Sequence, residues 1–97
     1  MKIYLLKQDL NNGYDTYDSV VVIAENENEA RKIHPSEFVT HIKDGNWMGT
    51  YAKGGEYENN GYDWVDLDQI DQIKVTYIGE ATDEQEKGVL LASFNAG

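Results

Sequence analysis

The chain has 97 residues, a hydrophobic fraction of 40% and a formal net charge of −10, from 18 acidic against 8 basic residues. These values predict one small folded domain over residues 1–97 rather than a disordered tail, and they disfavour nucleic acid and anionic membrane as direct partners. The chain has no cysteine, which excludes disulfides and thiolate metal sites. Its apolar N-terminal run is too short for a signal peptide or a membrane span, so we expect a cytoplasmic protein.

The first part of the chain predicts two strands and a helix. Residues 2–8 form the first predicted strand, and residues 9–18 form a polar loop with an Asn-Asn-Gly turn signal. Residues 19–24 are almost all β-branched or apolar, which is typical of a central strand covered on both faces. The helix that follows should begin at Asn26, its N-cap, and end before Pro35.

The middle of the chain, residues 36–62, is interrupted by five glycines. We expect a hairpin around residues 47–51, followed by a mobile loop through Gly54-Gly55. Asp66, with Gln69 three residues further on, then predicts a capped single turn that carries its apolar neighbours inward.

Two strands are predicted in the last quarter of the chain. Residues 73–79 alternate between apolar and polar side chains, and residues 89–94 form a second strand that pairs with them as a hairpin with a long turn. The predicted fold is therefore α+β: a single small domain with a mostly antiparallel sheet of four to six strands and one main helix packed on one face.

A run of acids without any Lys or Arg extends from position 56 to position 71, and three aromatic residues are threaded through it. Its residues are Glu56, Tyr57, Glu58, Tyr62, Asp63, Trp64, Asp66, Asp68 and Asp71. Two interpretations are open. The run is either a solvated loop whose aromatics anchor it to the core, or a surface whose carboxylates mimic spaced phosphates and whose aromatics bind a partner with a basic groove.

A second candidate site is the polar, aromatic loop that leads into the predicted central strand. Its residues are Tyr14, Asp15, Thr16, Tyr17 and Asp18, with Phe94 and Asn95 near the last strand as further candidates. Tyrosines could stack on a base or sugar, and the acids could accept hydrogen bonds from it. The competing interpretation is a turn whose side chains satisfy their own backbone.

The sequence offers no catalytic or metal-binding constellation. His34 stands at a helix end, where the helix dipole explains it, and His41 has no nucleophile or metal partner at a recognisable spacing. Asp66, Asp68 and Asp71 resemble part of a calcium loop, but the required glycine and closing glutamate are absent. We therefore expect no enzymatic activity, no cofactor and no metal.

Four short motifs of the chain resemble a group of small accessory proteins encoded by bacteriophages and prophages. They are Gly-Tyr-Asp-Thr-Tyr-Asp-Ser at 13–19, Glu-Ala-Arg-Lys-Ile-His-Pro at 29–35, Tyr-Ile-Gly-Glu-Ala at 77–81 and Ala-Ser-Phe-Asn-Ala-Gly at 92–97. The resemblance covers both ends of the chain and leaves out residues 36–71, which contain the acidic run. It implies a protein made inside a bacterial cell, and many such proteins disarm host defence.

These observations predict two functions in order. The first is a non-enzymatic, anti-CRISPR-like inhibitor that binds a host nuclease or effector complex through the acidic run, without touching nucleic acid itself. The second is a sponge that sequesters a nucleotide-like immune signal in a pocket formed by the 14–18 loop and the last strand. A second copy of the chain is a further candidate partner in that case.

Overall fold

The fold is built almost entirely from β-strands. A computed structural model describes residues 1–96, so Gly97, the last residue of one of the four motifs, lies outside it. In chain order the elements are β1 (Lys2–Lys7), β2 (Thr16–Ala24), α1 (Glu27–Ala30), β3 (Val39–Lys43), β4 (Asn46–Thr50), β5 (Glu56–Glu58), a 3₁₀ helix (Leu67–Gln72), β6 (Lys74–Glu80) and β7 (Gly88–Asn95). The strands form two sheets, with the orders β6-β1-β2-β7 and β3-β4-β5.

The predicted α+β class with one main helix is wrong. Strands make up 45% and helices 10% of the structure, and none of the helices it describes reaches seven residues. The predicted cap does exist, because Asn26 Oδ1 accepts a hydrogen bond from the backbone N–H of Glu29 at 2.8 Å. The helix nevertheless ends after one turn, and His34 and Pro35 are buried beyond it. A cap favours helix initiation but does not supply the length that makes a helix stable.

The four-stranded sheet is centred on the antiparallel pair of β1 and β2. The valine-rich strand β2 has a neighbour on each side, as predicted for a central strand. The expected hairpin between the last two strands is wrong, because β6 pairs with β1 and β7 pairs with β2, at opposite edges. The segment 81–87 connects the two edges and is held by a backbone hydrogen bond from Ala81 N to Met1 O at 2.9 Å.

The three-stranded sheet consists of two successive hairpins. The first turns at Asp44 and Gly45, whose φ angles of 52° and 78° are the pair of positive values that a two-residue hairpin turn requires. The second turns through residues 51–55, where Tyr51 N donates to Gly55 O at 3.0 Å. We expected a hairpin around residues 47–51, and most of these residues belong to β4, the strand that both hairpins share.

Residues of both sheets meet in one core with two tryptophans. Its largest fully buried side chains are Trp47, Trp64, Leu6, Ile73, Val20, Val22 and Val65. The indole of Trp47 donates from Nε1 to Val65 O at 2.9 Å, which joins the smaller sheet to the segment before the 3₁₀ helix. The predicted turn at 66–70 is present, and Leu67 and Ile70 pack against the core. Asp66 caps it through its backbone carbonyl rather than its side chain.

Candidate functional site

The first residues of the acidic run belong to β5 and are bound to their own sheet. Glu56 lies between Lys43 Nζ, 3.0 Å from its Oε2, and His41 Nε2, 3.2 Å from its Oε1. The hydrogen bond from Lys43 is the main reason that the pKa of Glu56 is below its usual value. Tyr57 lies over the backbone of Gly49, with its ring centroid 4.8 Å from that of Tyr51. The Glu56 carboxylate is therefore already paired within its own sheet, although the residue stays exposed, and Tyr57 is partly buried.

The centre of the acidic run enters the core. Trp64 is completely buried, so it anchors the segment instead of facing solvent. Its neighbour Asp63 is largely buried too, and its Oδ1 lies 3.4 Å from Nε2 of the buried His34. That contact does not meet hydrogen-bond geometry, so this carboxylate oxygen has no hydrogen-bond partner among the described residues. Burial raises the pKa of Asp63 and lowers that of His34 to about 4.

The hydrogen bonds of His34 define its tautomer. Its Nδ1 accepts a hydrogen bond from the backbone N–H of Ser36 at 2.9 Å, so Nδ1 carries no proton. The single proton of the neutral ring is therefore on Nε2 and points toward Asp63. The ring also meets the ring of Trp47 edge-on, with centroids 5.1 Å apart. His34 is a buried residue that contacts the acidic run at Asp63, from the side of the core.

The structure joins the polar loop at residues 9–18 to the acidic run. The side-chain amide of Asn11 donates from Nδ2 to Trp64 O at 3.1 Å, and Tyr17 N donates to Asp63 O at 2.8 Å. The loop itself is organised by the buried side chain of Gln8. Its Nε2 donates to the carbonyls of Asn11 and Tyr17, and its Oε1 accepts from two backbone N–H groups of the loop. Gln8 was placed at a strand end and given no role by the sequence, although a glutamine between a strand and a polar loop could have indicated one.

The joined segments form a surface that we call the acidic face. Its carboxylates are Asp9, Asp15, Asp18, Asp66, Asp68 and Asp71, and no Lys or Arg occurs in residues 8–30 or 54–73. The base that adjoins it is Arg31, whose guanidinium donates to the carbonyls of Ile70 and Ile73 at 2.7 Å. Asp66 lies directly over Gly61, which continues the face toward the polar loop. Tyr14 and Tyr62 are its exposed aromatics, at 80% and 79% exposure. Asp68 and Asp71 are exposed on the 3₁₀ helix, and Glu58 is exposed on β5 beside Asn60.

The residues of the second candidate site are only partly brought together. Tyr17 and Phe94 meet edge-on with centroids 4.8 Å apart, and Asp15 N donates to Asn95 O at 2.6 Å. Thr16 is buried and its hydroxyl donates to the carbonyl of Gly13. Tyr14 projects away into solvent, and the carboxylate of Asp18 accepts from the hydroxyl of Ser19. Tyr17, Phe94 and Asn95 are therefore the members that could share one ligand.

A groove of about 850 Å³ opens beside this cluster, between the segment 32–42 and the edge of β7. Tyr17, His34 and Trp47 line it together with Val89 and Ala92 of β7. Phe94 and Asn95 do not line it, so the groove and the predicted pocket share only Tyr17. Across residues 1–96, no group of three or more His, Asp or Glu side chains could hold a metal ion.

No protein-family model, no curated protein and no solved structure matches the chain. The likeness of the four motifs to phage-encoded proteins therefore stays a prediction. Within the part of the chain that the structure describes, no helix is long and apolar enough to cross a membrane.

Proposed function

We propose that this chain is a non-enzymatic binding protein whose acidic face occupies a basic, nucleic-acid-binding surface of another protein. In the setting that the phage-like motifs imply, the partner is a bacterial defence nuclease or effector complex, and the effect is inhibition. The chain would act inside the bacterial cell, like an anti-CRISPR protein, and would not contact nucleic acid itself. Like charge makes that last contact unfavourable, since both surfaces are negative.

The observation that supports this proposal most is the union of two base-free segments. Hydrogen bonds from Asn11 and Tyr17 attach the polar loop to residues 63–64, so two distant stretches that carry six solvent-accessible acids lie next to each other. The buried side chains of Trp64 and Gln8 attach these stretches to the core. Carboxylates on an anchored backbone lose less conformational entropy on binding than carboxylates on a flexible tail, which favours affinity.

The aromatic anchors of the proposed interface are Tyr14 and Tyr62 rather than Trp64. Both tyrosines are about four-fifths exposed, so each can bury most of its ring against a partner. Buried tyrosines are frequent energetic centres of protein interfaces, while surrounding charges mainly set orientation and association rate. The proposal therefore separates two roles: the tyrosines hold the complex together, and the carboxylates steer it.

The test measures displacement of a labelled DNA duplex from a panel of purified bacterial defence nucleases, at several salt concentrations. One variant replaces Asp66, Asp68 and Asp71 with Asn. The matched control replaces Asp83, Glu84 and Glu86 with Asn, Gln and Gln, because these exposed acids lie in the connection at the opposite end of the larger sheet. We expect the first variant to weaken displacement about tenfold or more and the control to change it little.

Three results would count against the acidic face. The first is that the wild-type protein displaces no duplex from any nuclease of the panel. The second is that displacement does not depend on the salt concentration, which contradicts an electrostatic contact. The third is that the control variant loses as much displacement activity as the first variant, which would indicate a general effect of net charge.

A second candidate function is sequestration of a nucleotide-like signal, and one observation favours it. Tyr17 and Phe94 form an aromatic pair beside a groove whose volume, about 850 Å³, lies within the range of small-molecule sites. Thermal-shift screening with cyclic nucleotides tests it, using Tyr17→Ala as the site variant, because Tyr17 belongs to both the aromatic pair and the groove. Asn28→Ala, which changes an exposed asparagine on α1, is the control. A flat response across the set in the wild-type protein would remove this candidate.

A further inference from the structure

The wall of the groove beside β7 is held in place by contacts with the acidic run. Trp47 donates from its indole to Val65 O at 2.9 Å, and Tyr17 N donates to Asp63 O at 2.8 Å. Nε2 of the buried His34 lies 3.4 Å from Asp63 Oδ1. Three rings that line the groove are thus fixed from behind. A wall of this kind needs little reordering when a ligand binds, which favours affinity.

Phe38 is the most exposed ring of this lining, at 67% exposure. Its backbone N–H donates to Oγ of the buried Ser36 at 3.2 Å, so the ring stands on an anchored segment. A ring in this position can stack on a flat ligand, and aromatic pairs contribute beyond the apolar area that they bury. The lining therefore favours a ligand with an aromatic part.

Lys32 contributes a positive charge to the groove. Lys87 nearby pairs with Glu29 at 3.5 Å, whereas Lys32 forms no ion pair with any acid of residues 1–96. Lys32 and Lys87 also line a smaller hollow together. Two ammonium groups at one place, in a chain with a net charge of −10, favour an anionic group of a ligand there.

Glu37 is the acid of the groove lining, and it has a different neighbour. Burial, Asp63 and Glu37 raise the pKa of Tyr17, which places the Glu37 carboxylate near the phenol of Tyr17. A carboxylate only accepts hydrogen bonds, so this part of the groove suits an amino or hydroxyl group of a ligand. An anion is favoured beside Lys32 and a hydrogen-bond donor beside Glu37.

We propose that the groove binds a small molecule with an aromatic ring and an anionic group, the ring against Phe38 and the anion beside Lys32. The proposal deepens the second candidate function and rests on it in placing a small molecule at the groove. A nucleotide phosphate and an aromatic carboxylate share this chemistry, because each joins a flat ring to a negative charge.

Isothermal titration calorimetry with four probes tests the ligand class. Adenosine monophosphate and naphthoate each combine a ring with an anion, whereas adenosine lacks the anion and inorganic phosphate lacks the ring. We expect at least one of the two ring-bearing anions to bind with a dissociation constant about tenfold or more below those of adenosine and phosphate. Its affinity should fall as the salt concentration rises.

Matched variants test the position of the ligand. Lys32→Gln should raise the dissociation constant of the ring-bearing anion about threefold or more. Lys53→Gln removes the same charge from an exposed turn outside the lining and should leave the constant unchanged. Phe38→Ala should raise the constant about tenfold, and Leu91→Ala, at 68% exposure and outside the lining, should not. Circular dichroism confirms that all four variants fold.

The outcomes separate this proposal from the second candidate function. Binding of naphthoate that both site variants weaken, without any response to nucleotides, supports the ligand class and removes the second candidate function alone. Nucleotide binding that neither Lys32→Gln nor Phe38→Ala weakens keeps that function and overturns the proposal. The proposal is also overturned if neither ring-bearing anion binds at millimolar concentration.

Discussion

Acid should destabilise this protein through one buried histidine. The side chain of His34 is 2% exposed, and burial lowers its pKa to about 4 from an ordinary 6.5. Below pH 6.5 the imidazole of His34 therefore binds a proton in the unfolded chain but not in the folded protein, so the free energy of unfolding falls as the pH falls. Each pH unit between the two values costs about 1.4 kcal/mol, and the loss approaches about 3 kcal/mol by pH 4.

Three carboxyl groups, Glu29, Glu56 and Asp63, also have shifted pKa values and contribute to the dependence of stability on pH. Glu29 and Glu56 have lowered pKa values, and the stability they contribute is present above their ordinary value of 4.5 and is lost as the pH falls below it. Asp63 has the opposite sign, because burial raises its pKa from 3.8 and the folded state takes up its proton first. Protonation of Asp63 therefore favours the folded state and opposes the decline, so the decline between pH 6.5 and 4.5 is the contribution of His34.

Urea denaturation at a series of pH values between 7 and 4.5 measures this decline. His34→Gln should be less stable than the wild type at pH 7 and should show a nearly flat profile across the window, since glutamine does not titrate. His41→Gln removes the other histidine of the chain, which lies beside Glu56 at the surface of the small sheet, and should keep the decline. The reasoning fails if His34→Gln and the wild type lose the same free energy between pH 7 and pH 4.5.

Three further predictions concern stability and are measured by urea denaturation at pH 7. Gly49→Ala places a methyl group against an aromatic ring and should cost about 1–3 kcal/mol, whereas Gly13→Ala, with open space around it, should change little. Trp64→Ala should lower the free energy of unfolding by about 3–5 kcal/mol because it leaves a cavity in the core. Tyr62→Ala, at an exposed position, should change it by less than about 0.5 kcal/mol. A larger loss for Tyr62→Ala than for Trp64→Ala would contradict this assignment. Asn26→Ala should cost about 1 kcal/mol through its lost cap, and an unchanged midpoint would refute that role.

The sequence predicted the parts of the fold that depend on local chemistry. An unbroken run of β-branched residues identified β2 as a central strand, and Asn26 identified the start of α1. The pairing of β6 with β1 was not predictable in this way. Alternation of apolar and polar residues reveals a strand but not its neighbour, and adjacency in the chain suggested a hairpin that the fold does not contain.

The candidate site shows the same division between local and long-range information. The acidic run was evident in the composition, but nothing in its charges indicated that Asp63 and Trp64 enter the core. Neither did they indicate that the polar loop joins it, since that contact depends on Asn11 and residues about fifty positions away. The Asp44-Gly45 turn, in contrast, was readable from the dipeptide and could have located the first hairpin correctly.

The order of strands in the larger sheet bears on synthesis of the protein. β1 and β2 leave the ribosome well before the strands that flank them, which begin only at Lys74 and Gly88. Until those residues emerge, the nascent hairpin keeps both of its edges open and its valine-rich strand exposed. A two-stranded hairpin alone is marginally stable in water, so we expect the sheet to assemble late. A chaperone that shields β-branched segments would then act on β2 during translation.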